Sequence, residues 1–214
     1  MVSRPTDISW LAGRQELHKD QAMQFKVSLN DIRPEIWRRI QVPASYSFWD
    51  LHVAIQDAMG WKDCHLHQFT VRTRGAESPP IFGIPVDKFV GRRGVLPGWE
   101  HLIAIYFSPE SAEADYWYDF GDDWNHVVLL EEVLPKVLGQ KYPVCTGGAR
   151  ACPPEDCGGP PGYAKLVMAM KRPASKAAAD FIKWLGKPYD AEAFDASRVK
   201  FHSPKARLRR LRGR

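Results

Sequence analysis

Along residues 24–42 apolar and polar positions alternate, as QFKVSL and then EIWRRIQV, with breaks at Asn30-Asp31 and Pro34. A period of two predicts a pair of strands. It puts Ile36, Arg38 and Ile40 on one face and Trp37, Arg39 and Gln41 on the other. A charge on the apolar face calls for an acidic partner, and the aspartates near residue 120 are the candidate for Arg38. At SFWDLHVAIQDAMGW the period changes: Phe48, Leu51, Ile55 and Met59 recur at helical spacing. Ser47 and Asp50 stand at capping-box spacing, with Asp in place of Glu, and Gly60 stops the run. HQFTVRTR (67–74) alternates again. Residues 75–100, with four Pro and five Gly, read as a long loop holding one short strand, IFGI. HLIAIYF (101–107), YWYDF (116–120) and WNHVVLLEEV (124–133) read as consecutive strands, the last two joined at Gly121-Asp122. After a Cys/Pro/Gly-rich loop at 143–162, YAKLVMAMK and SKAAADFIKWLG predict two helices flanking Pro173. The plan is α+β: a mostly antiparallel sheet with a helix from the N-terminal half packed on it, and further helices toward the C-terminus.

With 214 residues, 44% hydrophobic and eight Trp among them, the chain suits one well-filled domain with appendages. Residues 1–20 lack periodicity and read as a loose arm, 21–200 as a single α+β domain, and 201–214 as a basic C-terminal arm. The longest apolar run, LIAIYF, is too short to span a bilayer, and MVSRPTDISW does not resemble a signal peptide. A cytoplasmic protein without a membrane partner is expected. The formal net charge of +5 hides an asymmetry. Residues 198–214 carry eight Arg or Lys and no acid, leaving 22 basic against 25 acidic residues elsewhere. Such arms attract nucleic acid or another polyanion. Ser203 followed by Pro204 predicts a short capped helix on which Leu208 and Leu211 share a face. Arg207, Arg209, Arg210, Arg212 and Arg214 are the candidate phosphate contacts. The same arm could instead fold onto its own acidic domain.

YDFGDDWNH (118–126) gathers Asp119, Asp122, Asp123 and His126. Carboxylates this close suit a divalent cation with waters and phosphate, and so a catalytic site. Gly and Asp equally suit the tight positions of a hairpin, where an Asx side chain satisfies turn N–H groups. The turn comes first, the site second. Its Asp-Phe-Gly and Gly-Asp-Asp triplets lack the companions that a kinase or a polymerase requires.

Cys145, Cys152 and Cys157 lie within 13 residues. In an intracellular chain they read as packed thiols or, with a histidine, as ligands for zinc or another divalent cation. The spacing is not the CxxC pair of a zinc knuckle, and Glu155 and Asp156 between two of the cysteines could also reach a cation. His65 and His67, two apart, fall on one face of a strand and are the candidate histidines, with His52 on the preceding helix near them. Trp37, Trp49, Trp61, Trp117 and Trp124 sit at core spacing, with base stacking as the other reading.

Four segments in order resemble one family: WRRIQVPASYSFWDLHVAIQDAMGWKDCHLHQF, YDFGDDWNHVVLLEEV, CTGGARACPPEDCGGPPGY and YDAEAFD. Over about residues 24–200 the chain is similar to the plasmid pRiA4b ORF-3-like family, whose members are also labelled insertion-sequence passenger proteins of TnpR-like type. The resemblance implies a compact α+β domain and a setting on plasmids and mobile elements. It implies no particular reaction, and the chain has neither a serine-recombinase nucleophile setting nor a helix-turn-helix.

The leading expectation is therefore a non-enzymatic accessory protein that binds nucleic acid or an acidic protein surface through its basic arm. The alternative is a metal-dependent hydrolase of phosphodiester type, using Asp119, Asp122, Asp123 and His126 or the Cys145–Cys157 loop. A zinc-stapled structural domain is compatible with the first. Oligomeric state leaves no mark in the pattern.

Overall fold

The computed structural model describes residues 18–72, 78–85, 94–109 and 111–213. Most of the expected N-terminal arm, and Arg214, lie outside them. Strands β1 (Gln21–Leu29) and β2 (Ile36–Pro43) pair antiparallel, with Phe25 opposite Ile40 and Val27 opposite Arg38. The alternation read from the sequence is the burial pattern found: Ile36, Arg38 and Ile40 point inward. β3 (His67–Val71), β4 (Ile81–Gly83), β5 (Leu96–Pro97), β6 (Glu113–Tyr118), β7 (Trp124–Pro135) and β8 (Val144–Ala149) complete one eight-stranded sheet. Its order is β5-β4-β3-β6-β7-β1-β2-β8, and only the β4–β5 pair is parallel.

Helix α1 (Phe48–Met59) lies on this sheet. The expected capping box forms: Ser47 Oγ accepts from Asp50 N–H, the Asp50 carboxylate accepts from Ser47 N–H at 2.9 Å, and Gly60 closes the helix at φ 86°. Phe48 stacks on Phe82 of β4 with ring centroids 4.1 Å apart, which fixes the helix end over the sheet. Nearly every α1 side chain is buried, because a second layer covers its outer face: α4 (Pro204–Arg212) and the turn at Gly98–Glu100. Trp49 Nε1–H donates to Pro204 C=O at 3.0 Å. Helices α2 (Gly159–Met170) and α3 (Lys176–Leu185) pair with each other, and α2 sends Tyr163 and Leu166 into the core. Among the described residues no helix is long and apolar enough to cross a membrane.

Three local expectations change. HLIAIYF is not a strand: a 3₁₀ turn at Ile103–Ile105 crosses the start of α1, with Ile103 N–H on Tyr46 C=O at 2.9 Å. An apolar run without strict alternation serves a buried crossing as well as a strand. The loop expected at 143–162 opens with β8, whose Gly147 and Gly148 let it pair closely beside β2. A Cβ on Gly148 would sit 2.5 Å from the Phe194 ring and 2.8 Å from Trp37 C=O, so only glycine fits there.

The third change concerns Arg38, only 2% exposed, which has no carboxylate partner among the described residues. Its guanidinium donates to four carbonyls: Ala58 at 2.9 Å, Trp37 at 2.8 Å, Ala149 at 2.9 Å and Arg150 at 2.8 Å. The Phe194 ring lies 3.8 Å beneath it. Carbonyls at the end of α1 and the end of β8 carry partial negative charge and converge where no acid does. Replacing Arg38 with Met leaves these carbonyls without donors, at a cost of about 3 kcal/mol or more. Scanning calorimetry is expected to show a melting temperature lower by roughly 6–12 °C. A drop under about 2 °C would mean that water replaces the guanidinium freely.

The histidines of the core are also unusual. His52 and His67 stack face to face with ring centroids 3.4 Å apart and planes within 6°. Gln56 donates to the Tyr116 hydroxyl at 3.0 Å, which donates to His52 Nδ1 at 2.9 Å, leaving His52 Nε2–H to donate to Asp63 at 2.8 Å. His67 Nδ1 and His126 Nε2 are buried without partners. Burial holds His67 well below the ordinary imidazole range, helped by neighbouring His52, and lowers His126 to about 4. Below an ordinary unfolded pKa of ~6.5 the unfolded chain takes up protons that the folded chain refuses. Stability is therefore expected to fall as pH drops from about 6.5 toward about 4. Melting temperatures across that range check it, with His67→Phe giving a shallower slope. An unchanged slope in that variant would remove His67 from the account.

Candidate metal centre

Three segments far apart in sequence meet beyond the C-terminal end of α1. The first is the loop 60–66, turned by Asp63 at φ 59° and tied back by Asp63 N–H on Gln56 Oε1 at 3.0 Å. It delivers His65 ahead of β3, so His65 and His67 do not share a strand face: His65 is half-buried and His67 buried. The second is the β6–β7 hairpin, where Asp119 takes φ 54° and Asp123 φ 59°. Asp119 Oδ1 accepts the N–H groups of Gly121 and Asp122 at 3.0 and 3.3 Å, an Asx turn. That leaves Asp119 Oδ2 facing His65. The third is CPPEDC, which supplies Glu155 and Asp156.

His65 Nε2 lies 2.9 Å from Asp156, 3.4 Å from Asp119 and 3.9 Å from Glu155. Metal bonds of ~2.0–2.2 Å place neighbouring donors roughly 3–3.5 Å apart; the Asp119 separation falls in that range, and the Asp156 contact is a hydrogen bond just below it. Glu155 is pinned by Lys62 N–H at 2.6 Å and by the Tyr118 hydroxyl at 3.1 Å, and Tyr118 in turn accepts Cys64 N–H at 3.1 Å. Burial, then the Glu155 charge, pushes the Tyr118 phenol well above its ordinary value, so it stays a donor. Asp119 is nearly enclosed, with its side chain 9% exposed, whereas that of Asp156 is 68% exposed. Among the described residues none of the three carboxylates forms an ion pair with Lys or Arg.

The other candidates lie elsewhere. Asp122 accepts Gly158 N–H at 3.0 Å and ties the hairpin to α2. That contact is close: a Cβ on Gly159 (φ 65°) would lie 2.3 Å from Asp122 C=O. Asp123 accepts Asn125 Nδ2–H at 2.8 Å. His126 points into the core, its Nδ1–H on Tyr116 C=O at 3.2 Å. Of the acidic cluster, only Asp119 joins His65. Among the described residues, His65, Asp119 and Asp156 are the one set of three such donors near enough to share an ion, and Cys145, Cys152 and Cys157 are not in it. Burial pushes the Cys157 thiol up to about 12 and that of Cys152 further. Both favour the protonated thiol over the thiolate that binds metal.

The basic arm is docked over the residues described. Arg207 pairs with Asp57, whose carboxylate also receives His202 N–H at 2.7 Å. Arg207 Nη1 stands 3.8 Å from Asp63, and Arg212 lies over the Trp99 ring at 5.0 Å. Arg209, Arg210 and Arg212 remain exposed. Of the tryptophans, Trp49, Trp61 and Trp124 are buried, as core spacing requires. Neither Tyr118 as the clamp on Glu155 nor Asp63 as the partner of His52 was signalled, since both depend on contacts between distant segments.

Comparison with known proteins fits this chain as a whole. It is 33% identical over 178 residues to "Uncharacterized protein y4hQ" of Sinorhizobium fredii (strain NBRC 101917 / NGR234), covering 83% of this chain and 88% of that one. A solved structure, described as a protein of unknown function, MM3350 from Methanosarcina mazei Go1, superposes with a TM-score of 0.77 at 40% identity. It covers 85% of this chain and 98% of its own. Residues 21–198 match the family described as "Plasmid pRiA4b ORF-3-like protein", and the chain belongs to that family.

Proposed function

We propose that the protein holds a divalent cation of the Mn²⁺ or Zn²⁺ type among His65, Asp119 and Asp156, with Glu155 as the neighbouring carboxylate, and uses it to hydrolyse a phosphate ester. The observation that carries this reading is electrostatic. Three carboxylates surround one imidazole nitrogen within 3.9 Å, with no Lys or Arg paired to them among the described residues. A cation relieves that crowding of negative charge. One nitrogen donor among oxygens suits a borderline transition ion better than Ca²⁺. The clamp on Glu155 and the turn bonds on Asp119 orient the donors from outside, as such centres need. Exposed Asp156 and half-buried His65 leave coordination positions open, the arrangement of a catalytic rather than a structural centre. A bound ion supplies an acidified water and polarises a phosphoryl oxygen. A cavity of about 710 Å³ opens onto Glu155 and Asp156 and brings Lys62 and Lys187 beside them. Those cations favour an anionic substrate. The helix of the basic arm is seated on α1, with Arg209, Arg210 and Arg212 exposed.

Calorimetric titration of EDTA-stripped protein with MnCl₂ and ZnCl₂ tests the reading. One ion per chain is expected, with a melting temperature raised by about 5–10 °C at a hundredfold excess over Kd. His65→Ala and Asp119→Asn should each weaken binding at least ~10-fold. Asn keeps the Oδ1 acceptor of the turn, so the fold survives. Turnover of bis(p-nitrophenyl) phosphate should require the ion. No saturable binding of either metal would end the proposal. Binding without turnover would reduce it to a cation-binding centre.

A further inference from the structure

A second cavity, of about 1130 Å³, runs between the C-terminal end of α1, residues 193–203 and α4. It exceeds the roughly 300–1,000 Å³ of small-molecule sites. Its walls carry Arg38, Lys62, Lys187, Arg198, Lys200, Arg207 and Arg210 against only Asp57 and Asp195. Both acids are already engaged. Asp57, 2% exposed, is covered by Arg207 and His202, and Asp195 accepts the N–H and hydroxyl of Ser197 at 2.9 and 2.6 Å. Lys62, Lys187, Arg198, Lys200 and Arg210 are exposed, and none forms a salt bridge among the described residues. Behind them lies Arg38, a buried charge neutralised only by carbonyl dipoles. The field in the groove is therefore positive along its length.

We propose that this groove binds the sugar–phosphate backbone of single-stranded nucleic acid. Five exposed, unpaired cations are more than a lone phosphate engages, and a run of backbone phosphates matches their number. A lipid surface is met by exposed basic patches rather than by a concave groove. The groove shares Gly60, Trp61, Lys62, Cys152 and Lys187 with the cavity that opens onto Glu155 and Asp156. On the wall of that smaller, adjoining cavity Trp184 stands 48% exposed, a seat for one unstacked base. Double-stranded nucleic acid offers no such base. A strand in the groove leads toward the acidic cluster. The inference deepens the metal reading by naming the substrate class, and it rests on that reading only for cleavage; binding needs the groove alone.

Fluorescence anisotropy of a labelled 20-nucleotide oligo-dT, measured with the full chain in EDTA between 50 and 200 mM salt, separates the two. With the metal removed, saturable binding is still expected. Its affinity should fall with log salt at a slope of about −3.5, given five free cations at ~0.7 per phosphate contact. Arg198→Glu/Lys200→Glu/Arg210→Glu should weaken it at least ~10-fold and flatten the slope by about 2. Lys141→Glu/Lys171→Glu/Arg172→Glu, equal in charge and outside the groove, should weaken it less than ~3-fold. Trp184→Ala should weaken binding with the slope unchanged. All these positions are exposed, and an unaltered melting temperature verifies the fold. The inference is overturned by absent binding at 50 mM salt, by equal losses in the two triple variants, by tighter binding of a 20-base-pair duplex, or by anionic phosphatidylserine vesicles competing equally. His65→Ala should leave oligonucleotide binding in EDTA intact, so failure of the ion site and failure of the groove read out separately.

Discussion

The buried guanidinium of Arg38 is the contact on which the working surface of this protein depends. It sits at the inner face of β2, yet its four carbonyl acceptors come from its own strand, the last turn of α1 and the end of β8. With Phe194 stacked beneath, it also fixes the segment that returns toward α4. No apolar side chain could do this, because the carbonyls at those chain ends need donors. The cost of desolvating the charge is met by directional bonds that specify how the helix, the sheet edge and the C-terminal segment meet. Both cavities border the junction it makes, through Trp61, Ala151 and Cys152.

Charge is sorted around that junction. On one side are Asp119, Glu155 and Asp156 with a single imidazole, and on the other a run of lysines and arginines. The two regions do not neutralise one another, although Lys62 belongs to both neighbourhoods and its own N–H holds Glu155. Asp63 stands at the seam: one oxygen receives the proton of His52, and the other faces Arg207. The docked helix α4 is thus connected, through Asp63, His52 and Tyr116, to the centre of the sheet.

Most elements were legible in the sequence because they rest on local rules. Alternation marked β1, β2, β3, β6 and β7; a capping box and a glycine stop marked α1; Ser203-Pro204 marked α4. The exceptions share one cause. β8 carries Gly147 and Gly148, which contribute no side-chain period, and Gly148 is there for close approach to the Trp37 carbonyl and the Phe194 ring. HLIAIYF is apolar because it is buried, not because it is extended. The partner of Arg38 was sought among acids, since carbonyl convergence is a property of chain ends brought together by the fold. The candidate centre was half legible. His65, Asp119, Glu155 and Asp156 each stood out, but in three separate groupings, and only tertiary contact selects one member or two from each.

Asp119 divides its two oxygens between different tasks. One holds the N–H groups of its own hairpin, and the other faces His65. On the ion reading proposed above, folding and chemistry would draw on different halves of one side chain, and substitutions there would be filtered twice. Asparagine retains the acceptor and sheds the charge; glutamate retains the charge but carries its oxygens one carbon too far for the turn. A lineage that kept this fold while abandoning the ion would drift to asparagine at this position, and the residue found there becomes a record of which constraint has been relaxed.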